Sequence, residues 1–182
     1  MPISRGQLLI AKFTPIGEDV PPAQASKSMK ATTFRRLINL WPPFFFAGIR
    51  AQRISDDFRE ADVALKLHWY NRNYVGSHFG GNLFSMTDPW FMLMLLQILG
   101  PKYLVWDRAA TIEFVTPGRG IVTARFRLDD AQIADVIDKT ANGDKYLPTF
   151  HVDILDAQGQ LVAKVTKTVY IRLKSAHRPA AG

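Results

Sequence analysis

The stretch NRNYVGSHFGGNLFSMTDPW, from Asn71 to Trp90, holds an amide (Asn73), a glycine pair (Gly80-Gly81) and a carboxylate (Asp88), the last inside a long apolar run. These residue types in this order suit the attack of water on an activated carbonyl. Glycines at a helix start leave backbone N–H groups unpaired and open to close approach, where they can polarise an oxygen that gains negative charge. A carboxylate among apolar neighbours is stripped of water and becomes a stronger base, able to activate water or attack the carbonyl itself. Asn73 could hydrogen-bond the carbonyl or the water. Each residue also has a plainer role. Gly80-Gly81 suit a tight turn with close packing, Asn73 an Asx turn, and Asp88 an N-cap with Pro89 at the first helical position. A helix starting instead at Gly81 would carry Pro89 inside it, at a cost of ~3 kcal/mol or a kink. Ser85 and Thr87 flank Asp88 and could orient water, although most helical Ser and Thr have no such task.

Several chemistries are excluded or unsupported. The chain contains no cysteine, so thiolate nucleophiles, disulfides and cysteine-based metal centres are ruled out. His68, His78, His151 and His177 share no ligand spacing, and no metal is expected. No G-x-S-x-G elbow is present. The formal net charge is +7, but no run of five basic residues occurs and no nucleic-acid partner is expected. The start has no apolar stretch of signal-peptide length. The most apolar segment, about residues 90–99, is far shorter than the ~20 residues of a membrane span. A cytoplasmic protein is expected.

The elements that must position these residues read as follows. Residues 1–28, with Pro15, Pro21 and Pro22, suggest an irregular arm. ATTFRRLINL places Phe34, Leu37, Ile38 and Trp41 on one helical face, and Pro42-Pro43 should stop that helix. Phe44, Phe45 and Phe46 read as core or ligand wall, core being favoured. Residues 48–69 change to period two, with Ala61, Val63, Leu65, Leu67 and Trp69 on one side and a hairpin turn at Asp56-Asp57. From Leu83 to Leu99 the chain is apolar nearly all round, the pattern of a buried helix. Further strands are expected in AATIEFVTP, GIVTARFRLD, TFHVDIL and LVAKVTKTVYIRL, with an Asp-capped helix in DDAQIADVIDKTANGD. Residues 175–182 read as a flexible tail. About six strands and one such helix predict an α+β domain over residues 29–174, an antiparallel sheet curled around the helix. Its bare sheet edges and partly covered helix favour a homodimer.

This pattern resembles the hotdog-fold thioesterases, specifically the phenylacetate-type acyl-CoA thioesterase branch and the DUF4442 group. That branch carries Asn, a few residues, Gly, then His-Gly-Gly, with an Asp nine residues beyond the His. The chain has Asn73, Gly76, Phe79-Gly80-Gly81 and Asp88, and FVTP at Phe114–Pro117 is similar to the family's Y-x-x-P strand. The resemblance covers residues 49–173 and implies a hotdog fold: an antiparallel sheet wrapped around a long central helix, here with an extra N-terminal helix. It implies hydrolysis of an acyl-CoA thioester by Asp88-activated water, with the Gly80 and Gly81 N–H groups as oxyanion hole and Asn73 assisting. Phe79, Phe84, Ser85 and Asp107 would contact substrate; the last corresponds to a polar position near the thioester in relatives. Arg125 and Arg127, on the outer sheet face with Lys164, Arg172 and Lys174, could hold the phosphates of coenzyme A. No cofactor beyond the coenzyme A of the substrate is implied, and the assembly would be a homodimer or a dimer of dimers. Phe79 stands where the family has His, and His78 lies one residue early with its side chain expected to point elsewhere. A non-catalytic acyl-binding protein on the same fold is therefore an alternative, and a dehydratase using His78 a lesser one.

Overall fold

A computed structural model describes residues 29–179; the expected arm at 1–28 lies outside them. Helix α1 (Ala31–Leu40) is followed directly by a second short helix, α2 (Pro42–Ala47). Pro42-Pro43 therefore ends one helix and begins the next, because a proline at the first helical position loses no hydrogen bond. Of the four residues expected on the inner face of α1, Phe34 and Ile38 are half-buried while Leu37 and Trp41 are exposed. Phe44 alone of the three phenylalanines is core; Phe45 and Phe46 face outward.

Strands β1 (Ile49–Ile54) and β2 (Glu60–Lys66) form the expected hairpin. Ala61, Val63 and Leu65 point inward, but the strand ends at Lys66 and Trp69 stands exposed in the following turn. β3 (Tyr103–Phe114), β4 (Ile121–Arg127), β5 (Thr149–Asp156) and β6 (Leu161–Leu173) complete one antiparallel sheet in the order β1-β2-β4-β5-β6-β3. The two ends of this sheet differ. α1 lies along β1, where the Asn39 side chain accepts from the Ala51 N–H at 2.7 Å and donates to the Ala51 carbonyl at 3.0 Å. Among the described residues β3, at the other end, pairs on one side only.

The central helix is not continuous. It runs as α3 (Gly80–Ser85), a turn, and α4 (Trp90–Leu99). Pro89 supplies no N–H and restricts the residue before it, so the ladder of hydrogen bonds cannot pass through. The indole of Trp90 donates to the Met86 carbonyl at 2.9 Å, taking up one of the acceptors freed by the break. Below it Trp90 meets Phe44 and Phe126, and Phe91 stacks on Phe150 at 4.8 Å, so α4 anchors the aromatic core. α5 (Asp130–Thr140) begins on a capping box in which Asp129 and Gln132 bond each other's backbone N–H groups. Ser175–His177 form a single 3₁₀ turn where the sequence reads as tail, and the Lys174 N–H is tied to the Lys102 carbonyl at 2.9 Å.

Candidate active site

The break between α3 and α4 sets Asp88 over the sheet. β6 alternates strictly there: Val165, Lys167, Val169 and Ile171 all face inward. Lys167 is the exception in chemistry, a fully buried lysine in an apolar row. Its Nζ lies 2.9 Å from Asp88 Oδ1 and 3.2 Å from Asp107 Oδ2. The Phe84 ring closes the space above, with its centroid 5.9 Å from Nζ.

A β-bulge brings the second carboxylate in. Along β3 and β6, Asp107 pairs with Val169, the register slips at Arg108, and Ala110 pairs with Lys167. The extra residue lets Asp107 share the inner face with Ala110, Ile112 and Phe114 although the spacing changes parity between them. Asp107 is mostly buried, its Oδ1 has no hydrogen-bond partner among the described residues, and burial holds its carboxyl above the usual carboxylate range; attraction to Lys167 opposes this and repulsion from Asp88 adds to it. Asp88 differs from the sequence expectation. It neither caps α4, whose first turn has no side-chain cap, nor lies buried: its side chain is 58% exposed. One edge of the site is thus wet while Lys167 beneath it is dry.

The other sequence-derived candidates are placed as follows. Gly80 and Gly81 do open α3, and among the described residues neither N–H has a hydrogen-bond partner. Aromatic rings nevertheless lie against both. A Cβ on Gly80 would stand 3.0 Å from the Phe114 ring, and one on Gly81 would collide with the ring of Phe79. Phe79 and Phe114 are themselves more than half exposed and free to turn at their outer ends. Along α3 and the turn, Gly80 and Asp88 are separated by on the order of 10 Å at helical rise. Asn73 organises its own loop, accepting from the Ser77 N–H at 3.0 Å and donating to Ser77 Oγ at 2.8 Å, so it is not directed at Asp88. Ser85 donates to the Gly81 carbonyl and Thr87 to the Phe84 carbonyl; both hydroxyls serve the helix.

His78 is buried, with Nε2 3.1 Å from the Gly120 carbonyl oxygen, and burial pulls its pKa below the usual 6.5. Arg125 and Arg127 project from the outer face, away from α3 and α4, and Arg127 is engaged by Asp62 at 2.7 Å. The structure thus joins Asp88, Asp107 and Phe84 and leaves Asn73, Ser85, Arg125 and Arg127 apart from them. Lys167 is absent from the sequence candidates. The signal for it was the alternation of LVAKVTKTVYIRL, which places Lys167 in phase with Val165 and Val169.

The model of the family described as a domain of unknown function, DUF4442, matches residues 30–171. No curated protein matches the sequence. Among solved structures, a protein of unknown function and probable thioesterase from Pseudomonas aeruginosa, PA5026, is similar over 80% of this chain and 97% of its own, at 19% identity and a TM-score of 0.66. The thioesterase HI1161 from Haemophilus influenzae matches over 81% and 93%, at 14% identity and 0.60. The E. coli PaaI protein, from the phenylacetic acid degradation operon, matches over 82% and 97%, at 20% identity and 0.56. At these identities the likeness is one of fold. Sheet order, central helix and family match agree, and the chain belongs to the DUF4442 family, built on the hotdog fold of the thioesterases.

Proposed function

We propose that the protein hydrolyses an acyl-CoA thioester, with Asp88 as the base. The observation that carries this reading is the ion cluster at the helix break. Lys167 grips one oxygen of Asp88 from below, and Oδ2 has no partner among the described residues. A carboxylate held in this way can take a proton from water as the water oxygen attacks the thioester carbon. The Gly80 and Gly81 N–H groups would receive the developing oxyanion. Collapse of the tetrahedral intermediate breaks the C–S bond, and the proton on Asp88 passes to the departing thiolate. Water, thioester and enzyme give acid, thiol and enzyme.

Within one chain, at a separation on the order of 10 Å, the base and the glycine donors could act on one carbonyl only in a fully extended line, since water and donors must both lie about 3 Å from reacting atoms. A homodimer in which Asp88 of one copy faces Gly80-Gly81 of the other satisfies that requirement, and the unpaired edge of β3 is where two such sheets would join. The rings of Phe79 and Phe114 must swing aside or serve as the acyl wall. If they stay closed over the glycines, the chain is instead an acyl-binding protein.

The test is turnover of a panel of short, medium, long and aromatic acyl-CoAs by the wild type and by Asp88→Asn. Asparagine keeps the size and can still accept from Lys167, so the thermal midpoint should hold. Turnover should fall by roughly 10² to 10⁴, the range for loss of a general base. Binding without hydrolysis across the whole panel would support the binder instead. Unchanged turnover in Asp88→Asn would remove Asp88 from the mechanism.

A further inference from the structure

The basic residues are less scattered than their lack of runs suggests. Residues 29–55 contain Lys30, Arg35, Arg36, Arg50 and Arg53 and no acidic residue, and so carry five of the chain's seven net positive charges. The same segment shows the solvent its apolar side chains: Leu40 is 66% exposed, Phe46 73%, and Leu37, Trp41 and Phe45 also stand out. On α1, Arg36 lies one helical turn before Leu40 and next to Leu37, so charge and apolar surface share one face. From β1 the Arg50 guanidinium sits 5.0 Å over the ring of Phe45 on α2, placing charge inside the aromatic patch. Among the described residues no acid pairs with Lys30, Arg35, Arg36 or Arg50.

We propose that the α1–α2 face docks on an anionic phospholipid surface, lying in the headgroup layer. The charge selects this occupant. Arg53 is balanced by Glu60 and Asp62, and a second copy packed face to face would set the other four positive charges against four, which disfavours a self-complementary contact. Residues 1–28, with Arg5, Lys12 and Lys27 against Glu18 and Asp19, are themselves net positive and are no counter-charge. An anionic membrane matches both halves of the patch: the aromatic and leucine side chains enter the acyl boundary while the guanidinium groups meet phosphates. The helices lie on such a surface and do not cross it, since no described helix is long and apolar enough to span. Because β1 and β3 are opposite ends of the sheet, docking through α1–α2 leaves the Asp88–Lys167 cluster free.

The experiment is cosedimentation of the full-length chain with vesicles of phosphatidylcholine alone and with about one third phosphatidylglycerol, at low and high salt. The wild type is expected on the anionic vesicles at low salt, about tenfold or more weaker on the neutral ones, and released by salt. Leu40→Ser with Phe46→Ser should lose at least about tenfold in partitioning. Arg35→Gln with Arg36→Gln should lose a similar factor, and its remaining binding should depend less steeply on salt. Leu40, Phe46 and Arg36 are exposed and Arg35 is half-buried, so thermal midpoints should stay put, and either pair alone decides the matter if the other unfolds. The proposal is overturned if the wild type does not bind anionic vesicles at low salt. It is equally overturned if both pairs bind like the wild type, which would point to residues 1–28. A solution mass that drops in Leu40→Ser/Phe46→Ser, with no vesicle binding by the wild type, would mean that a second copy covers the face.

Discussion

Two ion clusters sit on opposite faces of the same sheet. On the outer face Arg53 and Arg127 share Glu60 and Asp62, with contacts of 2.6 and 2.7 Å at the shortest, and two cations balance two acids. On the inner face a single cation, Lys167, is shared by Asp88 and Asp107. The outer side chains are between 23% and 58% exposed, whereas that of Lys167 is 1% exposed. Water and salt screen the outer network, so its ordering entropy and its Coulomb gain nearly cancel. In the inner cluster Lys167 has given up its water while Asp88 keeps one wet edge; the cluster is one positive charge short, and among the described residues an oxygen of Asp107 is unpartnered. Stability alone rewards the first arrangement little and the second still less, since well-packed apolar residues would fill the inner site at lower cost. A cluster of that kind on a fold's inner face, beside a break in its central helix, is the sort of site where function outweighs packing.

The contrast is tested by breaking each cluster. Lys167→Met keeps the volume but strands two carboxylates around an apolar side chain. Loss of one partner of a buried pair costs about 3–5 kcal/mol; because Asp88 can reach water, about 2–4 kcal/mol is expected, read from urea midpoints at neutral pH. A loss below about 1 kcal/mol would mean the inner cluster is as solvated as the outer.

Asp107→Asn should give a smaller effect with a diagnostic pH dependence. The folded pKa of Asp107 is raised above the usual 3.8, so between the two values the folded chain holds more protons than the unfolded one. Wild-type stability from this group therefore falls as pH rises through that window. The stability of Asp107→Asn relative to wild type should rise from pH 3.5 to neutrality and then level off. A relative stability that fell with rising pH would show that attraction to Lys167 outweighs burial. Smallest of all, Arg127→Met on the outer face should change stability by no more than about 1 kcal/mol. An equal response to Arg127→Met and Lys167→Met would erase the distinction.

Much of the fold could be read from alternation and punctuation. The β1–β2 hairpin, the inward set Val122, Ala124, Phe126 and the bounds of β6 follow from period two, and the Asp129 cap from its place before an amphipathic run. The candidate site was half legible. Gly80-Gly81 and Asp88 stand out as types in unusual places, but the partner that holds Asp88 does not. Lys167 is in phase with the inner row of β6, and only the rule that lysines face water assigns it outward; its burial depends on Asp88 and Asp107 arriving from elsewhere in the chain. Asp107 in turn reaches the site through a bulge at Arg108, a slip of register that follows from packing and not from residue type. The helix break was legible in Pro89 but its form was not. A cap at Asp88 and a kink at Pro89 were both readable, and the structure has a turn between two helices there, with the Trp90 indole on the freed Met86 carbonyl.

The Asn39 side chain, which pairs with the Ala51 backbone as a neighbouring strand would, makes the sheet a one-ended template. Among the described residues, hydrogen bonds remain available along β3, while at the middle of β1 those of Ala51 are already taken. Growth through the open edge would thereby be self-terminating: if two copies joined there as proposed, the composite sheet would end in a stopper on both sides, and repeated addition into a fibre would have no next step.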